Sequence, residues 1–105
     1  MNIIDLYNFL TEAYSNNTDI SFNDVALIKT PFDDLCFVYD GTMISLRRLV
    51  GLIINKKNNT LPKDISMSEY AMLNRAYNSI LDCYMDNIEY NYYEWWYKYY
   101  YTTIY

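Results

Sequence analysis

Histidine is absent from this 105-residue chain. That removes Ser–His and Cys–His nucleophile activation, the commonest general base and the commonest metal ligand. Glycine occurs only at Gly41 and Gly51, each alone, so no glycine-rich loop is available to cradle a phosphate. Cysteine is equally scarce: Cys36 and Cys83 are far apart and in no zinc-like spacing. Cys83 has no visible activating partner for nucleophilic work. Cys36 falls in a predicted strand and Cys83 on a predicted helix, and both are expected to be buried thiols. The longest aliphatic stretch, Leu49 to Ile54, is far short of the roughly 20 residues that span a bilayer. The opening Met1-Asn2-Ile3-Ile4-Asp5 lacks the basic start and apolar run of a secretory signal. These absences lead us to expect an intracellular, non-enzymatic chain, in the cytoplasm of a host cell, with no catalytic residue, cofactor or metal.

Cations are in the minority. Eight Lys and Arg stand against thirteen Asp and Glu, a formal net charge of −5 that argues against general nucleic-acid binding. The distribution is uneven. Residues 41–63 carry Arg47, Arg48, Lys56, Lys57 and Lys63 with no acid, between two acidic ends.

What the chain has in excess is tyrosine and tryptophan. From Tyr90 to Tyr105 the sequence reads YNYYEWWYKYYYTTIY, and ten of these sixteen residues are Tyr or Trp. This run ends a long predicted helix. Ser66 followed by Glu69 has the spacing of a capping box, in which each side chain bonds the other residue's backbone N–H. Beyond it Tyr70, Leu73, Tyr77, Ile80, Leu81, Tyr84 and Ile88 recur at spacings of three and four, forming one apolar stripe. Asp82, Asp86 and Glu89 fall largely outside the stripe. No Gly or Pro follows Pro62, so nothing forces a stop. Carried to about Tyr99, the helix would be roughly 50 Å long, more than a domain of this size needs. In the tail, Tyr90, Tyr93, Tyr97 and Tyr100 put rings on faces other than that of Tyr92, Trp95, Trp96 and Tyr99. A helix apolar all round needs cover. That cover is either the chain's own core, a twin subunit, or a different partner, for which Tyr and Trp are the favoured contact residues.

The rest of the chain reads as one α+β domain. Ile3, Leu6, Tyr7, Leu10, Ala13 and Tyr14 make a stripe over a first helix at 2–15, with Asn2 or Asp5 near its positive end. Residues 16–23 are expected to be loop. Val25–Thr30 and Leu35–Tyr39 are β-rich runs joined by the turn-forming Pro31-Phe32-Asp33-Asp34. Asp40-Gly41 tolerates the positive φ angles of a tight hairpin, so Thr42–Ile44 is expected as a short third strand. Ser45 caps a second helix over Leu46–Lys57, where Leu46, Leu49, Val50, Ile53 and Ile54 face inward. The expected architecture is a hairpin or three-stranded meander packed against three helices, with 90–105 a projecting aromatic tail.

Two further constellations carry charge in a pattern that chemistry can use. Asp33, Asp34 and Asp40 flank one strand and could hold a magnesium ion, though turn-forming aspartate is the ordinary reason for acids at hairpin corners. Arg47, Arg48, Lys56 and Lys57 form the one candidate nucleic-acid patch. The second and third helices superficially resemble a helix-turn-helix, but the connection Asn58–Ile65 is long and the following helix is acidic where a recognition helix carries cations. The leading expectation is a small binding protein. Tyr90, Tyr92, Tyr93, Glu94, Trp95, Trp96, Tyr97, Tyr99 and Tyr100 would form its partner surface, with Asp82, Asp86 and Glu89 as an acidic flank. Short acidic chains of this kind are common among virus- and phage-encoded inhibitors of host defence proteins, anti-CRISPR inhibitors included. That association is one of class and rests on no residue. The alternatives are a DNA- or RNA-binding regulator using residues 41–63, and a homodimeric or larger structural subunit. No membrane partner is expected, because Glu89 and Glu94 sit among the rings.

Overall fold

The computed structural model describes residues 2–16 and 21–104, with side chains described as far as Ile88. In chain order the elements are α1 (Ile3–Asn16), β1 (Ser21–Phe22), β2 (Val25–Lys29), β3 (Leu35–Tyr39), β4 (Thr42–Ser45), α2 (Leu46–Lys57) and α3 (Met67–Ile104). The strands form one antiparallel sheet in sequential order, and the fold is α+β.

Local chemistry sets most boundaries. Asn2 accepts the Ile4 and Asp5 backbone N–H groups at 2.7 and 3.2 Å and so starts α1. Ser45, extended at φ −61° and ψ 149°, accepts from the Arg48 N–H and turns the last strand directly into α2. At the β3–β4 hairpin Asp40 (φ 49°) and Gly41 (φ 77°) are both left-handed, the requirement of a type I′ turn. Nothing lies within 4 Å of where a Gly41 side chain would start, so backbone conformation, and no crowding, is what selects glycine there.

The same turn chemistry recurs where the sequence predicts loop. Asn23 (φ 53°) and Asp24 (φ 72°) make a second two-residue hairpin, pairing Phe22 with Val25. Residues 21–22 are therefore strand, and the three-stranded expectation is corrected to four. A two-residue strand shows no periodicity; its signal was the Asn-Asp pair, since both residue types tolerate left-handed backbone.

One face of the sheet carries the core. Register sets Leu27 opposite Phe37 and Phe37 opposite Ile44, so three buried side chains cross the sheet in a row. They pack with Leu6 and Leu10 of α1, Leu46, Leu49, Val50, Leu52 and Ile53 of α2, and Met72, Leu73, Ala76, Ile80 and Tyr84 of α3. The α3 stripe holds at Leu73, Ile80 and Tyr84, with Tyr77 and Leu81 half-buried, and is corrected at its two ends. Met72, which lies outside the predicted stripe, is fully buried, while Tyr70 and Ile88 are 49% and 43% exposed. Of Tyr70, Tyr77 and Tyr84, which lie seven residues apart, only Tyr84 is buried. The buried line runs through Met72 and Ala76 because α2 and the β1–β2 hairpin approach α3 from that side. Tyrosine, with a hydroxyl to keep wet, takes the margins.

The capping box forms as expected: the Ser66 N–H donates to Glu69 Oε1 and the Glu69 N–H to Ser66 Oγ, both at 3.1 Å. Glu69 also accepts from Arg48 Nε at 2.7 Å, tying α3 to α2. The guanidinium and the Ser66 N–H hold the Glu69 carboxyl down at about 2, against an ordinary value of 4.5. A depressed folded value adds stability above pH 4.5, which is lost as the pH falls towards 2. Glu69→Gln keeps the capping geometry and removes the charge. With the Arg48 side chain 44% exposed, solvent screening reduces the expected loss to about 1 kcal/mol at neutral pH. Urea midpoints across pH check this: the gap between wild type and variant closes between about pH 4.5 and 2, and a pH-independent gap rules the ion pair out as its source.

Candidate functional site

Tyr84 is the last buried residue of α3 among those described. Its ring meets Phe9 of α1 edge-on, with centroids 5.5 Å apart and planes at 73°. The next four residues, Met85, Asp86, Asn87 and Ile88, are all exposed. Asn87 makes the point most directly. It lies seven residues after Ile80, on the same helix face, yet Ile80 is fully buried and Asn87 is in water. The helix continues to Ile104. At 1.5 Å per residue its 38 residues span about 57 Å, which matches the longest dimension of the molecule, 57 Å. The radius of gyration is 16.1 Å, where about 13 Å is usual for a compact chain of this length. So α3 runs the length of the molecule, and about 30 Å of it follows Tyr84.

The residues assigned to the partner surface fall on this extension. The side chains of Glu89, Tyr90, Tyr92, Tyr93, Glu94, Trp95, Trp96, Tyr97, Tyr99 and Tyr100 lie outside the described residues; their backbone is helical. Asp82 and Asp86 are exposed, as the sequence reading has them. Between them stands Cys83, which corrects an expectation: it is exposed, while Cys36 is buried. Cys83 falls where the helix is leaving the body, so a core-side helical position no longer brings cover. Partial burial, then Asp86 and Asp82, raise its pKa above the ordinary thiol value, which disfavours the thiolate at neutral pH. One thiol per native chain is expected to react with a disulfide reagent, slowly at pH 7 and faster as the pH rises. Cys83→Ser abolishes the reaction; two reactive thiols in the native wild type exclude this placement of Cys36.

The cationic segment is largely spent inside the fold. Arg48 is held by Glu69. Lys56 donates to Asn74 Oδ1 at 2.8 Å and sits 4.5 Å over the Tyr77 ring, a second tie between α2 and α3. Arg47, Lys57 and Lys63 are exposed and have no ion-pair partner among the described residues. The predicted patch is thus reduced from a stripe to separated charges. A cation that sequence reading passed over, Arg75, anchors the first hairpin. It donates to Asp24 at 2.7 Å, its carbonyl accepts from Asn23 at 2.9 Å, and its guanidinium lies 5.3 Å from the Tyr39 ring. Nothing in the spacing of residues 51 apart announces such a contact.

The aspartates are not brought together. Asp33, left-handed at φ 69°, pairs with Lys29 at 2.9 Å, which raises the lysine pKa. Asp34 and Asp40 lie at opposite ends of β3, roughly 20 Å apart at 3.4 Å per residue. Among the described residues no three His, Cys, Asp or Glu side chains cluster as a metal site would need. No helix among the described residues is long and apolar enough to cross a membrane. Comparison with protein-family models, with curated proteins and with solved structures returned no match.

Proposed function

We propose that this chain is a small non-enzymatic binding protein whose working surface is the extension of α3, and that it acts as a steric inhibitor of the virus- or phage-encoded kind. One observation carries this reading: past Tyr84, the last buried residue of α3 among those described, the helix runs through four exposed positions and on into the Tyr/Trp run. Most helical stability in proteins comes from packing of an apolar face, and Tyr and Trp are only middling helix formers. Such a segment is stabilised by docking. The rings supply buried area, and Asp82, Asp86, Glu89 and Glu94 suit a basic groove of the kind that holds nucleic acid in a host defence or nucleic-acid-processing protein. The inhibited state needs no chemistry, only occupancy of that groove. DNA or RNA reading by residues 41–63 has less support, since Arg48 and Lys56 are committed to α3.

The test is capture from a nuclease-treated host lysate, with a Trp95→Ala/Trp96→Ala chain as its pair. One protein retained by wild type and lost by the variant supports the reading and delivers the target. Capture that disappears on nuclease treatment transfers the function to the basic segment.

A further inference from the structure

Arg47 stands where two hollows meet. One, of about 250 Å³, lies between the first turn of α1 and α2 and is lined by Ile3, Ile4, Tyr7, Arg47 and Val50. The other, of about 450 Å³, opens toward the end of the sheet past Cys36, Ser45 and Asp34. Tyr7 and Arg47 line both, so the two form one groove. Its α1 end is strongly apolar and open: Ile3 and Ile4 are 44% and 63% exposed. Its middle carries a guanidinium with no ion-pair partner among the described residues.

We infer that this groove is filled by the acidic aromatic stretch of α3 from a second copy of the chain, in a two-fold dimer that makes the contact twice. Three arguments converge. The first is chemical. The groove calls for apolar rings with a carboxylate among them, and Asp86, Glu89 and Glu94 interleaved with Tyr90–Trp96 supply that combination. The second is electrostatic. At a net charge of −5 two copies repel in most orientations. Setting the acidic stretch of one against Arg47 of the other, which has no ion-pair partner among the described residues, turns the uneven charge into local attraction. The third is area. An aromatic side chain buries about 150–250 Å². Two rings and the facing groove give roughly 600 Å² per contact, and the two-fold axis doubles this to about 1,200 Å², the lower bound of a stable interface. Among the described residues no side chain of the chain's own α3 lines the groove, and Ile3 and Ile4 stay exposed.

This inference rests on the reading of the α3 extension as a binding surface, and not on the identity of any target. Light scattering on the full chain over a hundredfold concentration range decides it, with Arg47→Glu, with Glu89→Lys/Glu94→Lys, and with both sets together. Glutamate in the first turn of α2 suits the helix dipole, so Arg47→Glu leaves the fold of the single chain intact, as far-ultraviolet circular dichroism of the dilute chain checks. The expected result is a mass of twice 12.7 kDa for wild type. Each charge-reversed set weakens the dimer about tenfold or more, and the combined chain regains it. A wild type that stays monomeric, or a dimer indifferent to Arg47→Glu, overturns the inference. A monomer that still captures a host protein through Trp95 and Trp96 overturns it while leaving the proposed function intact.

Discussion

Alanine at both Trp95 and Trp96 is expected to weaken target capture by at least about 100-fold and to leave the melting temperature within about 2 °C of wild type. Tryptophan is the residue most often found at the centre of binding energy, and truncating one such anchor removes about 2 kcal/mol or more. Two adjacent anchors do not add fully, so about 3 kcal/mol is the combined figure, roughly 150-fold in affinity. The small thermal effect follows from where the body ends. Tyr84 is the last buried residue of α3 among those described, and Met85 through Ile88 are exposed. Titration of the captured partner and a thermal melt of each chain measure the two halves separately. A variant that melts more than about 10 °C lower places the rings in the chain's own core, and the projecting-surface reading is then wrong.

Charge offers a second reading of the same surface. Glu94→Lys keeps a good helix former and reverses one acid among the rings. Its effect on capture is expected in the association rate, a few-fold at low salt and fading as salt rises, while the tryptophans act on dissociation.

Elements with their own local chemistry were legible before the fold was. The Ser66/Glu69 box, the Ser45 cap and the Asp40-Gly41 turn each involve residues one to three apart, and each forms where the spacing places it. What escaped depends on neighbours distant in sequence. Met72 looks like a surface position on an isolated α3, because the tyrosines mark a stripe beside it. Only the arrival of α2 and the first hairpin shows that the covered line passes through Met72 and Ala76. Cys83 errs in the opposite sense: helical phase puts it near the core side, but the core has run out. Arg75 and Asp24 are 51 residues apart, and their pairing is a product of the fold. The cationic segment was visible as composition. That Arg48 and Lys56 serve as struts between helices, leaving Arg47 beside an open groove, was not.

Phe37→Ala is expected to be the most destabilising single change in the body, at about 4 kcal/mol. The ring is fully buried in β3, with Leu27 on one side and Ile44 on the other by register, and it tilts against Phe22 with centroids 6.2 Å apart. Removing it takes away a large apolar side chain and leaves a cavity that strands held by ladder hydrogen bonds cannot close; Phe→Ala at such sites loses about 3–5 kcal/mol. Chains of this size have about 5–15 kcal/mol in total, so a large fraction goes at once. Phe32→Ala is the internal comparison. Phe32 is 87% exposed in the β2–β3 turn, and its removal is expected to change stability by less than about 0.5 kcal/mol. Urea unfolding of both variants, followed by far-ultraviolet circular dichroism, separates them. Equal midpoints would place Phe37 outside the core and dismantle the sheet register with it. A much lower midpoint for Phe37→Ala shows that the row Leu27–Phe37–Ile44 is what the three helices close upon.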